Sequence, residues 1–339
     1  MSYFEAAWKE IEEKAKRYGD ESAESVYFGG GTPTAVGIEY IVKTLELIKK
    51  LFKVKNGAEI TIEANPRTFD REKLVAYKNA GFNRISVGVQ SFWDDELAAL
   101  GRIHNAKTAR DSVKTSKSVF DNVSVDLMLG LEGQTEERVK KSLDEAIKLN
   151  VDHISAYMLI VEDGTKLKEL VESGKYNPLS DDDCAKIYDF AAKYLEENGY
   201  DRYEVSNFAK NGARSTHNEG YWRMKNYVGI GLSGHSLVND RRFFNTSDMG
   251  EYIKSPTQEQ IEETLSAKDF EEEYIMLALR TTDGIDLNDY KLRFKKDFKK
   301  EKGQQLQKLE RFLDITENSV SINKNYVSVG TAITAELLD

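Results

Sequence analysis

Between residues 25 and 158, short apolar runs alternate with amphipathic stretches. Residues 25–28, 59–64, 84–89, 122–128 and 153–158 read as strands. Residues 37–52, 70–80, 106–118 and 135–149 carry apolar positions at helical spacing. The repeat, roughly 30 to 35 residues, fits successive βα units of a parallel sheet or barrel. Unbroken apolar strand runs fit a sheet covered on both faces. Beyond residue 158, a helix is expected over 186–197, closed near Gly199, followed by a strand-like segment at 203–206. From residue 269 the pattern changes to helices at 270–281, 287–294 and 303–313. A hairpin is expected there too, 319–322 with 326–329 turning at 323–325. The expected organisation is α/β: a partial (β/α) barrel over 1–200, a connecting segment over 201–268, and a small α+β, winged-helix-like domain over 269–339.

Composition narrows the class. The 339 residues are 40% apolar and 31% charged, as in a soluble globular protein large enough for more than one domain. No run of 18 apolar residues occurs, and residues 1–17 are amphipathic and charged, so neither a membrane span nor a signal peptide is expected. A net charge of −10 argues against a general nucleic-acid surface. The basic run from Lys291 to Lys302 makes a DNA-binding module the rival reading of the last domain. Asp297, Glu301 and Glu271 to Glu273 dilute it, and a small domain that closes a cofactor site is the expectation. The single cysteine, Cys184, excludes internal disulfides and fits a reducing cytoplasm.

The chemistry gathers where strands end. Residues 26–28 open into Gly29-Gly30-Gly31-Thr32-Pro33, where bare backbone lets a ligand pair with the strand edge and Pro33 then ends the pairing. The second strand carries Glu63, the third ends near Gln90 with Arg102 a dozen residues on, and the fourth holds Asp126 before Gln134. Singly, each such residue caps or closes a turn. Delivered in order to one rim of a (β/α) barrel, they form a site. An Arg with two carboxylates and an amide suits a small zwitterion carrying a ribose.

YFGGGTPT, IEANP, GVQSF, LGRIH, DLMLGLEGQT, RYEVSNFA, HNEGYW and GIGLSGHS, in that order, resemble the radical S-adenosylmethionine (SAM) proteins related to oxygen-independent coproporphyrinogen III oxidase. Within that group they are most similar to the HemW-type heme chaperones, from about residue 24 to the C-terminus. The resemblance implies that Gly30, Gly31 and Thr32 meet the methionyl amine of SAM, and that Glu63, Gln90, Arg102 and Asp126 hold its ribose and carboxylate. Glu132 stands where the family's loop usually has proline, which puts that loop's rigidity in question.

Family members begin with a strand and a C-x3-C-x2-C triplet that holds a [4Fe–4S] cluster through thiolates. This chain has no such triplet. Cys184 follows Asp181 to Asp183, which would raise a thiol pKa, and reads as structural. Either some 20 to 30 residues that carry the first strand and the cluster ligands precede this sequence, or it is a cluster-less relative. The phase of the strands favours the first, since a missing first strand would bare the 25–28 edge.

His217, Asn218, Tyr221 and Trp222 lie in HNEGYW. On composition, His217 closes a turn and the aromatics are core. The match to the HNxxYW segment that the resemblance associates with heme makes His217 the expected iron ligand and Tyr221 and Trp222 the flat faces for a porphyrin. His235 is expected either near the SAM adenine or as a buried, hydrogen-bonded histidine. His104 and His153 read as structural. The expected function is therefore a heme-binding chaperone that delivers heme to an acceptor protein. An oxygen-independent coproporphyrinogen oxidase-like enzyme and a cluster-less regulatory remnant are the alternatives. A cytoplasmic protein with no membrane span and no nucleic-acid partner is expected, docking to a membrane respiratory protein is left open, and the oligomeric state has no signal.

Overall fold

Ser2 starts the first helix, Tyr3–Tyr18: its hydroxyl accepts the Glu5 N–H while the Glu5 carboxylate accepts the Ser2 N–H. The structure, a computed structural model, describes residues 2–339. Contacts divide the chain into two compact units. One comprises Met1–Val26, Gly37–Glu59 and Ser215–Asp339, the other Tyr27–Val36 and Ile60–Arg214.

Seven strands form the main sheet: β1 (Ser22–Phe28), β2 (Lys53–Ala64), β3 (Arg84–Gln90), β4 (Val123–Leu129), β5 (His153–Met158), β6 (Asp201–Arg202) and β7 (Asn207–Ala209). Their order is β1-β2-β3-β4-β5-β7-β6. The pairs β2–β3, β3–β4 and β4–β5 are parallel, while β7 adds to β5 and β6 to β7 antiparallel. Helices Ile38–Leu51, Arg71–Ala80, Ala106–Lys117 and Glu136–Lys148 intervene, so the expected βα repeat and partial barrel are what the chain forms. The apolar strand runs supply its core: Ile62, Ile85, Val87, Val123, Val125 and Ile154 are essentially inaccessible. β2 is twelve residues long, twice the expected length, because its first half (KVKNGA) is mostly polar and exposed and carries only a weak apolar signal.

Two expectations fail locally. Residues 203–206 are not a strand but the turn between β6 and β7, where the Glu204 carboxylate accepts the Ser206 N–H and Tyr203 N–H reaches Asn207 O. The predicted hairpin at 323–325 is displaced. β12 (Leu313–Ile315) and β13 (Ser319–Ile322) pair instead, and Lys324–Val329 is a 3₁₀ helix. Thr316 Oγ1 accepts the Asn318 and Ser319 N–H groups and makes the turn, while Asn323 caps the 3₁₀ helix by accepting the Asn325 N–H. β11 (Ile285–Asp286) completes that small sheet, in the order β11-β13-β12. A further sheet, β10-β9-β8 (Glu259–Thr264, Arg241–Asn245, His235–Val238), had no clear periodicity in the sequence. The apolar core of the C-terminal part joins Tyr274, Ile275, Tyr290, Phe298, Val320 and Leu337, and it extends to Met224 just beyond HNEGYW.

Candidate functional site

The candidate residues fall into two groups, one within each unit. In the Tyr27–Val36 and Ile60–Arg214 unit, β1 ends in three glycines. Gly30 has φ +87°, and a Cβ on Gly30 or Gly31 would meet nothing within 4 Å, so this backbone is open to a ligand. Thr32 is oriented by Asn65, whose Nδ2 donates to Thr32 Oγ1 at 2.8 Å. Gly88 makes room for Asn65, since a Cβ there would lie 2.6 Å from Asn65 Oδ1. Lys73 Nζ donates to Thr34 O (2.6 Å) and Val36 O (2.9 Å) and so ties down the loop beyond.

Glu63, near the end of β2, accepts the Tyr27 phenol at 2.6 Å. Asp126 on β4 accepts Ser86 Oγ at 3.0 Å. Burial first, and the Glu63 charge after it, push the Asp126 carboxyl up to about 6 against the hydrogen bonding of Ser86, Tyr157 and Ser155. Gln90 turns the chain at φ +67°. Arg102 sits in a loop fastened at three points: its own N–H to Leu97 O (2.9 Å), Arg67 Nη1 to Ile103 O (2.8 Å), and His104 Nε2 to Val89 O (3.1 Å). Its guanidinium has no hydrogen-bond partner among the described residues. Burial lowers its pKa, which Asp126 partly restores. A guanidinium on a fastened loop and without a hydrogen-bond acceptor has the donors to take a carboxylate.

Gln134 does not join them. It is 5% exposed, its carbonyl accepts Gly130 N–H and Leu131 N–H, and its amide donates to Met128 O and Glu96, so it braces the loop from within. Glu132 is equally engaged. Its N–H donates to the Tyr176 hydroxyl and its carboxylate accepts both the N–H and the side-chain amide of Asn177, which gives the proline-less loop an anchor. Cys184 lies beside Gly130 within the Asp181–Glu197 helix, with its thiol pushed up by burial and by Asp181 and Asp183. One thiol does not fit a [4Fe–4S] cluster, and no group of three or more metal-binding side chains exists among the described residues.

The second group lies in the other unit, on the helix Thr216–Trp222. Glu59 starts this helix: its carboxylate accepts Thr216 N–H, His217 N–H (both 3.1 Å) and Ser215 Oγ (3.2 Å), while Ser215 Oγ accepts Asn218 N–H. His217 Nδ1 is 3.2 Å from Ser25 Oγ, and burial pulls its pKa down to about 4, so the ring is neutral at physiological pH. Tyr221, one turn on and 39% exposed, meets the imidazole edge-on at 4.8 Å and Tyr227 likewise. Trp222, next in the chain, has a cation for a neighbour. Arg280 stands 5.5 Å from its ring centre, and its indole N–H is buried without a partner. His235 is neither buried nor enclosed: it stacks on Phe244 and faces Glu262 at 3.4 Å. His153 is a core residue, bonded through both nitrogens to Ser124 and Tyr203. Sequence reasoning missed Tyr27, Ser25 and Glu59. Nothing local marks them, since their partners lie 36 to 192 residues away.

The radical SAM superfamily profile matches residues 3–146, and the HemN C-terminal domain profile matches residues 265–327. The heme chaperone HemW of Bacillus subtilis (strain 168) is 34% identical over 290 residues, 84% of this chain and 76% of that protein. The chain belongs to the HemW family. A second HemW family relative, the heme chaperone HemW of Lactococcus lactis, is 35% identical over 292 residues, 85% of this chain and 77% of its own length. In fold, this HemW family member is similar to the coproporphyrinogen III oxidase HemN of Escherichia coli, a radical SAM enzyme. The TM-score is 0.82 at 20% identity, over 99% of this chain and 82% of that one. No helix among the described residues is long and apolar enough to cross a membrane.

Proposed function

We propose that this chain binds heme through the Thr216–Trp222 segment and passes it to an acceptor protein, on a scaffold that also holds SAM. The observation that carries the reading is the state of His217. It is a neutral imidazole, the form that ligates iron, with Nδ1 3.2 Å from Ser25 Oγ and the Tyr221 ring in a T-shaped contact 4.8 Å away. Heme, when bound, would supply an iron that takes a nitrogen ligand and a flat apolar body whose burial would provide most of the affinity. The names of the Bacillus and Lactococcus relatives, heme chaperones both, support the same function. A heme-accepting protein is the partner this reading requires, a membrane respiratory protein included, and the cytoplasm is its location. For SAM, the supporting observations are the open Gly30-Gly31 backbone and the Arg102 guanidinium without a hydrogen-bond partner among the described residues, and Thr32, Glu63, Gln90 and Asp126 are the further proposed contacts. Asn218 and Trp222 complete the proposed heme contacts.

Heme titration followed in the Soret region tests the proposal. His217→Ala shifts the band and weakens binding, and Trp222→Ala weakens binding with little change of spin state. His104→Ala, whose ring is tied to Val89 O, does neither. A His217→Ala spectrum identical to that of the unmodified chain removes the assignment, and a shift confined to His235→Ala moves the ligand to another segment.

A further inference from the structure

The three glycines after β1 do not share one task. Gly30 and Gly31 face open space, but a Cβ on Gly29 would lie 2.6 Å from Tyr27 Cε1 and 2.8 Å from the Glu63 carboxylate. Gly29 has no positive φ, so its requirement is steric. What fills that space is one hydrogen bond, from the Tyr27 phenol to Glu63 Oε1 at 2.6 Å. Burial, Glu63, Asp126 and Tyr157 together drive the phenol's pKa far above its ordinary value, so Tyr27 donates throughout the physiological range. With Oε1 engaged by the phenol, rotation of the carboxylate is restrained, and Glu63 Oε2 accepts no hydrogen bond among the described residues. A carboxylate oxygen accepts, and the matching donor is a hydroxyl such as those of a ribose diol.

We propose that Tyr27 is a positioning residue for nucleoside binding: it sets the Glu63 carboxylate against the ribose hydroxyls of SAM, and Gly29 is the vacancy that this pairing needs. The proposal rests on the SAM reading of the same site.

Calorimetric titration of the 339-residue chain with SAM tests it. Tyr27→Phe weakens binding about tenfold, as the loss of one hydrogen bond to a charged group requires. In a Glu63→Gln background the same change adds less than about twofold, because the two residues act as one unit. Gly29→Ala, which pushes both side chains aside, weakens binding at least as much as Tyr27→Phe. An equal loss from Tyr27→Phe in both backgrounds shows packing rather than positioning and overturns the proposal, as does unchanged affinity in Tyr27→Phe or in a folded Gly29→Ala chain. Arg102→Ala separates the two readings. If it weakens SAM binding while Tyr27→Phe does not, the proposal falls and the site stands. If the unmodified chain binds no SAM, both fall.

Discussion

Glu59→Ala tests what orders the motif helix. In the folded chain one carboxylate accepts two backbone N–H groups of the first turn, on Thr216 and His217, and the Ser215 hydroxyl. Ser215 still caps Asn218 N–H in the variant, so one of the four orphan donors of the helix keeps its partner and two lose theirs. Bonds to a charged acceptor contribute roughly 1.5–3 kcal/mol each, and the negative charge at the helix N-terminus adds about 0.3–1 kcal/mol. Glu59, Thr216 and His217 are half-buried, so water replaces part of the loss, and the expected cost is about 2–4 kcal/mol. Glu59→Gln keeps one acceptor oxygen and loses the charge, so roughly half that cost is expected. Urea unfolding followed by circular dichroism reads the change as a lower midpoint at constant slope. Because the same carboxylate holds the His217 backbone, heme affinity falls in parallel. A cost in Glu59→Ala below about 0.5 kcal/mol, the range of an ordinary surface substitution, refutes the capping account.

Further outcomes follow from the same geometry. Since His217 titrates near pH 4 in the folded chain and near 6.5 when unfolded, the unfolded state binds the extra proton between those values. Stability therefore falls as pH drops from about 6.5 towards 4, and the His217→Asn chain shows a shallower fall than the unmodified one in denaturant midpoints across that window. Arg102→Ala weakens SAM by the equivalent of about 1.5–3 kcal/mol in calorimetry, and equal affinities count against the assignment. Anaerobic reconstitution of the 339-residue chain leaves iron and sulfide near zero. A stoichiometric cluster with broad visible absorbance contradicts this, unless two chains share it through Cys184.

The barrel strands were legible because their apolar runs are local: β5 appears at its expected residues, β3 runs one residue further, and β4 is shifted by one residue at each end. The open backbone at Gly30 and Gly31 was legible as well, through an uncommon glycine run. The β6–β7 turn and the β12–β13 hairpin were not, because single side chains (Glu204, Thr316, Asn323) choose between two turn positions of similar composition.

Periodicity and motif spacing thus determined the βα scaffold and which residues reach its strand ends. Tertiary structure alone decided how they are held. Tyr27 meets Glu63 across 36 residues, Glu59 meets the HNEGYW helix across 156, and Ser25 meets His217 across 192. Pairings at such separations leave no trace in a local pattern. They form because burial makes an unpaired carboxylate, phenol or imidazole costly, and only the folded chain shows which partner lies within reach.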